Sequence, residues 1–316
     1  MTRKNGSDLA LNLIELIERF PHPEAARKYL ESIRWPDGPV CPHCGVCGEA
    51  TELHGEAHRP GVYKCRACGQ QFTVTVKTIF EDSHIKLHKW VIAFHLLCAS
   101  KKGLSSHQLH RMLGITYKSA WFMSHRIRYA MQEGTFEKLE GVVEVDETYV
   151  GGKAKNAHKR RGIPKKMPVV ALVERGGRVR AKAIANITGE TIREVLKSHV
   201  TSSARIMTDS ALVYDGTAKS FRSHDFVNHS AGEYVRGNAH TQTVESFNAL
   251  VKRGVVGAYH RLSERHLDRY LDEFSFRWNH RRASDGERMV FALRQSAGKR
   301  LTYRDMKKAE PSDNAI

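Results

Sequence analysis

The sequence predicts an α/β protein in which a mixed-sheet domain follows a small cysteine-bound ribbon and a helical region. Three observations predict it: apolar spacing is helical through much of the first 130 residues, two Cys-x-x-Cys pairs interrupt that spacing, and beyond 139 the period becomes that of short β-branched strands. A chain of 316 residues, 41% hydrophobic, allows one to three domains and a sizeable core. The expected boundaries are a helical segment at 1–36, a ribbon at 37–82, a helix-turn-helix-like region at 83–138, the mixed-sheet domain at 139–305 and a disordered tail at 306–316.

Each element follows in order. "LALNLIELIERF" and "EAARKYLESI" carry helical periodicity on either side of the breaker "PHP", which gives two short helices. After the cysteine segment, "LHKWVIAFHLLCAS", "SSHQLHRML" and "YKSAWFMSHRIRYAM" are helical again. The strands are "VVEVDETYV", "PVVALVE" and "VRAKAIANI", then a helix "GETIREVLKSHV", then a fourth strand "ARIMTD". "HTQTVESFNALVKRG" is an amphipathic helix with Val244, Phe247, Leu250 and Val251 on one stripe and Glu245, Asn248 and Lys252 on another. A solvated charged face is the ordinary explanation of that second stripe.

Charge narrows the partner. Lys plus Arg number 51 against 34 Asp plus Glu, a net +17 with pI near 9.7, which points to a polyanion, with nucleic acid leading. A membrane surface fits less well, because the basic residues occur in several segments and no run of about 18 apolar residues exists. The N-terminal stretch has acids within its apolar run and no small-residue cleavage site, so it does not read as a signal peptide. A cytoplasmic, nucleoid-associated chain is expected, in which clustered cysteines imply metal rather than disulfides.

"CPHCGVCGEATELHGEAHRPGVYKCRACGQQF" places Cys41 and Cys44 twenty residues before Cys65 and Cys68. Two such knuckles can wrap four thiolates around structural Zn²⁺, each turn helped by the Gly that follows. Cys47 leaves the first register open, since Cys44 and Cys47 also form a Cys-x-x-Cys; the match of "CPHCG" to "CRACG" favours Cys41 with Cys44. His43, His54 and His58 are expected at the surface and Cys98 in a core. The metal would supply most of the ribbon's folding free energy.

In "SSHQLHRMLGITYKSAWFMSHRIRYAM", Ser105 and Gln108 have capping-box spacing, Gly114 turns the chain and Thr116 caps a second helix. These are the proportions of a helix-turn-helix. Lys118, Ser119, His125, Arg126 and Arg128 are expected to face a duplex, with Trp121, Phe122, Ile127 and Tyr129 packed inward. A plain helix pair would share the pattern.

Alternation in "VVEVDETYV" puts Val143, Val145 and Glu147 on one face and Glu144, Asp146 and Thr148 on the other. A carboxylate within so apolar a strand is costly unless it meets a cation or a donor. Asp209 ends the fourth strand, where α/β sheets present functional side chains. Thirty-five residues separate it from Glu245. An acid on the first strand, one at the end of the fourth and one on a later helix converge in an RNase-H-like fold. Hard oxygen ligands favour two Mg²⁺ or Mn²⁺ ions, which catalyse in-line phosphoryl displacement. Asn248 is then an auxiliary ligand or contact, and Lys252 a partner for a DNA phosphate.

With "CPHCG…CRACG", "FTVTVKTIFEDSHIKLHKW", "VEVDETYVGG", "TDSALVYDG" and "HTQTVESFNALVKRGVVGAYHRLSERHLDRYLDEFSFRWNHR", the chain resembles the zinc-ribbon insertion-sequence transposases of the DDE type over roughly residues 15–295. The resemblance implies that Asp146, Asp209, Glu245 and Lys252 match the catalytic set and Cys41, Cys44, Cys65 and Cys68 the ribbon. Asn248 departs from it, since the family often carries an aromatic residue there. The resemblance further implies binding to element ends, strand cleavage and strand transfer, and a homodimer or higher oligomer on double-stranded DNA is expected.

"GGKAKNAHKRRGIPKK" carries Lys153, Lys155, Lys159, Arg160, Arg161, Lys165 and Lys166 without an acid, either a DNA-binding loop or a solvated one. Arg277, His280, Arg281 and Arg282 lie at the end of a later helix, where they could bind backbone. The rival to a transposase is a zinc-dependent DNA-binding regulator whose RNase-H-like domain is inactive; a nuclease or junction resolvase is a third possibility.

Overall fold

The computed structural model describes residues 11–134, 137–151 and 166–306. Lys153, Lys155, Lys159, Arg160, Arg161 and Lys165 lie outside the described residues, as does the tail beyond 306. The chain divides into two compact units, one holding the chain up to Ser100 with Leu104–Gln132 and the stretch from Arg282 onward, the other Lys101–Gly103 with Glu133–Arg281.

The first unit opens with α1 (Leu13–Arg19), whose N-terminus is closed by a reciprocal capping box between Asn12 and Glu15, and α2 (Pro23–Arg34), which starts on proline, where a missing N–H costs nothing. A three-stranded antiparallel sheet follows: β1 (Ala50–Glu52), β2 (Tyr63–Cys65) and β3 (Gln71–Phe72). Trp35 meets Tyr63 and Phe72 edge-on at 5.5 and 5.7 Å, a small aromatic core for the ribbon. Next come α3 (Leu87–Ala99), α4 (Ser106–Leu113) and α5 (Tyr117–Met131). The turn between α4 and α5 forms as the sequence predicts: Ser105 accepts the Gln108 N–H, Gly114 is left-handed at φ +57°, and Thr116 accepts the Ser119 N–H.

α5 departs from expectation on its basic face. Its residues Met123 to Arg128 are all buried. Arg126 donates to the carbonyls of Leu301 (2.9 Å) and Glu81 (3.0 Å), and Arg128 to the Ser124 hydroxyl (3.0 Å). Arg126 and Arg128, expected to face DNA, are therefore structural, and His125 is buried with them. The cause is enclosure: α5 packs on α3, α4 and the last helix, so a two-sided amphipathic pattern does not apply. Lys118, at the start of α5, stays exposed with its ammonium 5.0 Å from the Tyr303 ring.

The second unit is a five-stranded sheet between helices. β4 (Val142–Gly151), β5 (Lys166–Glu174) and β6 (Val179–Ala183) are antiparallel neighbours; α6 (Gly189–His199) crosses to β7 (Arg205–Asp209), parallel to β4, and β8 (Ser223–Val227) lies parallel to β7. The spatial order is β6-β5-β4-β7-β8, with β4 central. α7 (Gln242–Gly254) and α8 (Leu267–Asn279) complete the unit. On one sheet face Val169, Ala171 and Val173 bury against Val244, Phe247 and Val251 of α7 and Leu271 and Phe274 of α8; on the other Val143, Val145 and Leu172 bury against Ile192 and Leu196 of α6. The alternation of β4 is the predicted one. Gly254 lets α7 approach α8, since a Cβ there would fall 2.3 Å from a ring atom of Phe274.

The last helix, α9 (Asp285–Arg294), capped by Ser284 and Glu287, packs on α3 and also touches α2 and α5. The sequence boundary at 305 thus differs from the structure, where the sheet unit ends at Arg281. The apolar stripe of α9 (Met289, Val290, Leu293) is as good a core-former for one unit as for the other, so periodicity alone does not assign it.

Candidate metal centres and active site

The ribbon resolves the cysteine register. The sulfurs of Cys41, Cys44, Cys65 and Cys68 all lie within 4.8 Å of one another, while Cys47 points to the Gly38 carbonyl at 3.9 Å. Each knuckle closes through a glycine: the Gly45 N–H donates to the Cys41 carbonyl (2.8 Å) and the Gly69 N–H to that of Cys65 (2.9 Å), with φ of +80° and +72°. Four sulfurs so converged are the donor set of structural zinc. His43 and His54 are exposed, His58 is half-buried and none joins the cluster; Cys98 is in the core.

The acids gather around the middle of β4. Asp146 faces α7 and accepts a hydrogen bond from the Asn248 amide at 2.7 Å. Burial pushes its carboxyl up to about 6; the Asn248 donor opposes this, and the negative charges of Glu147, Asp209 and Glu245 add to it. Asp146 therefore lies within electrostatic reach of both other expected acids, and of Glu147 as well. Among the described residues only the four cysteines form a converged group of three or more possible metal ligands, so the three carboxylates stand wider apart than the thiols. Asp209 ends β7 and accepts the Ala211 N–H at 3.0 Å, which folds the following turn back on it. Glu245 accepts the Thr241 hydroxyl at 2.7 Å and lies 3.7 Å from His229 Nε2. Asn248 is 3% exposed, and among the described residues its carbonyl oxygen has no hydrogen-bond partner.

Two known families match this chain: residues 138–279 match the ISXO2-like transposase domain and residues 21–71 the transposase zinc-ribbon domain. The chain carries the two domains of a zinc-ribbon insertion-sequence transposase. A protein in the transposable element ISH50 of Halobacterium salinarum is 29% identical over 277 residues, spanning 83% of this chain and 92% of its own length. The transposase-domain match runs from just before β4 to the end of α8, so it holds every acid of the cluster. The zinc-ribbon match holds all four converged cysteines.

Two other expected residues of the transposase domain are exposed. Lys252 lies two turns beyond Glu245 on α7, about 10 Å along the axis, and Lys166 begins β5. Arg277 is buried against Glu273, to which it donates, and so belongs to the core rather than to a backbone-binding helix end. Sequence reasoning missed the supports. Tyr214, buried in the turn after β7, donates its hydroxyl to Glu147, whose carboxyl burial pushes up. Glu144 is fully buried. A second and third acid flanking Asp146 on one apolar strand was the available signal for both. Among the described residues no helix is long and apolar enough to cross a membrane.

Proposed function

We propose that this transposase binds the ends of an insertion sequence and carries out metal-dependent strand cleavage and strand transfer. In this reading Asp146, Asp209 and Glu245 hold two Mg²⁺ or Mn²⁺ ions, and Asn248 assists them. The observation that carries it is the crowding at β4: Asp146 is half-buried beside three other acids, which makes its charge costly without a cation. The orphaned carbonyl oxygen of Asn248 is a further hard donor in the same place. Three antiparallel strands followed by two parallel ones, with the acids on the first, the fourth and a later helix, support an RNase-H-like catalytic domain.

When bound, the divalent ions would activate a water or a 3′-hydroxyl and stabilise the leaving oxygen. The chain's own work is to orient. Asn248 fixes the rotamer of Asp146, Thr241 that of Glu245, and the Ala211 N–H that of Asp209. Lys252 then neutralises a DNA phosphate. The four cysteines hold a structural zinc, and Lys118 with the basic segment from Lys153 to Lys166 contacts the duplex backbone. Asp146→Ala and Asp209→Ala should keep binding to end DNA yet lose Mg²⁺-dependent nicking by about a hundredfold to a thousandfold, the range for loss of an essential charge-stabilising group. Cleavage at the wild-type rate in either variant overturns the assignment.

A further inference from the structure

Glu144 lies two residues before Asp146 on the same face of β4, at 0% exposure. Both of its oxygens are engaged. Oε2 accepts the backbone N–H groups of Thr243 (2.7 Å) and Val244 (3.0 Å). Oε1 accepts the Thr243 hydroxyl (3.0 Å) and Arg175 Nε (2.7 Å), and His240 Nδ1 stands 3.2 Å from it. Arg175, in the turn between β5 and β6, also donates to the carbonyls of Asn238 (2.8 Å) and His240 (2.9 Å).

The accepted N–H groups belong to the first turn of α7, whose N-cap residue, Thr241, supplies no side-chain cap. A carboxylate there meets free donors and the positive end of the helix dipole. The side chain that closes this helix thus comes from the central strand rather than from the helix's own N-cap. Glu245 is the residue after Val244, and Asn248 follows one turn later. An apolar contact would hold α7 near the sheet but allow it to slide; three directional hydrogen bonds from its first turn to one buried carboxylate fix its position along and around its axis.

We propose that Glu144 is a positioning residue, which docks the first turn of α7 onto β4 and thereby sets Glu245 and Asn248 against Asp146 for divalent-ion binding. This rests on the reading of Asp146, Asp209 and Glu245 as the metal-holding set. Arg175 serves the same end by tying down the backbone at Asn238 and His240.

The test compares the full-length wild type with Glu144→Gln, Thr243→Val and Asp146→Asn. Mn²⁺ binding is followed by electron paramagnetic resonance, thermal unfolding on the same samples, and nicking of duplex DNA across a Mg²⁺ titration. Glu144→Gln should bind Mn²⁺ about tenfold or more weakly, the usual effect of losing an outer support of a metal site. Its nicking should require correspondingly more Mg²⁺ and recover at high concentration. Thr243→Val, which removes one donor and keeps the charge, should shift both midpoints in the same direction by less. If Glu144→Gln melts earlier yet keeps wild-type Mn²⁺ and Mg²⁺ midpoints, Glu144 is merely structural and the proposal is overturned. Should Glu144→Gln fail to fold, unchanged midpoints in Thr243→Val overturn it instead. If the wild type binds Mn²⁺ no better than Asp146→Asn, the metal-holding reading itself has failed; wild-type binding above Asp146→Asn but equal to Glu144→Gln sinks the positioning role alone.

Discussion

Asp146 without a cation is a charge held against its surroundings. Its carboxyl is pushed from an ordinary 3.8 to about 6 by burial and by its acidic neighbours, so the folded state binds that proton more tightly than the unfolded chain does. Stability from this group is complete below pH 3.8 and is lost as pH rises through 6, at most about 3 kcal/mol. In buffer free of Mg²⁺ and Mn²⁺ but without a chelator that would strip the ribbon, Asp146→Asn should therefore be more stable than wild type at pH 7–8, with the gap closing toward pH 4; denaturant unfolding at several pH values measures it. A gap independent of pH would contradict the burial. Added Mg²⁺ should stabilise the wild type and leave the variant unmoved. Arg126 predicts the opposite kind of effect. Arg126→Met leaves the Leu301 and Glu81 carbonyls without their donor and should cost about 1–3 kcal/mol of stability, while the folded protein binds DNA as before. Weakened DNA binding without a stability loss would return Arg126 to the DNA face. At this scale Asp146 and the four cysteines were legible, because an acid in an apolar strand and a knuckle spacing are local patterns. Glu144 was visible as a second acid on the same strand, but its partners were not: its donors come from Arg175, Thr243 and Val244, and nothing local announces partners that lie 31 to 100 residues away.

Among the elements, the ribbon has the sharpest consequence. Its apolar core is little more than Trp35, Tyr63 and Phe72, so the four sulfurs must supply most of its cohesion. Cys47→Ser should retain one zinc per chain, and Cys44→Ser should lose it, with Trp35 emission shifting to the red; zinc release followed with a chromogenic chelator distinguishes the two. Equal zinc in both variants would mean that the register is wrong. The strands from β4 to β7 were visible in the sequence as β-branched runs, and the cap residues Ser105 and Thr116 marked α4 and α5. β8 was not visible. Its sequence, Ser-His-Asp-Phe-Val, is polar and half-exposed, as befits a strand at the sheet's edge, so it lacks the apolar run that signals a buried one. The inward face of α5 was misread for the converse reason: a helix enclosed on several sides buries arginines that satisfy carbonyls, and composition cannot tell these from arginines waiting for phosphate.

For the whole molecule the charge of +17 gives a prediction independent of any single residue. If about 6–10 phosphates are neutralised, affinity for an arbitrary duplex should fall about 10³–10⁵-fold between 50 and 200 mM KCl, readable by fluorescence anisotropy. A shallow slope would mean that most of the lysines and arginines are solvated. The order of the domains was legible, since each has its own periodicity, but the return of the chain was not: α9 belongs with α3, nearly two hundred residues earlier. That return has a consequence for synthesis. A ribosome finishes α5 at Met131 and must translate the entire sheet unit before α9 emerges, a delay of roughly 10–30 s at about 5–20 residues per second. Through that interval the face of α3 that packs on α9 in the finished protein lacks its cover and invites chaperones. A reading frame cut short just after Arg281 would leave that surface bare for good, so such a truncated product should pellet from extracts while a fragment of the sheet unit alone stays in the supernatant.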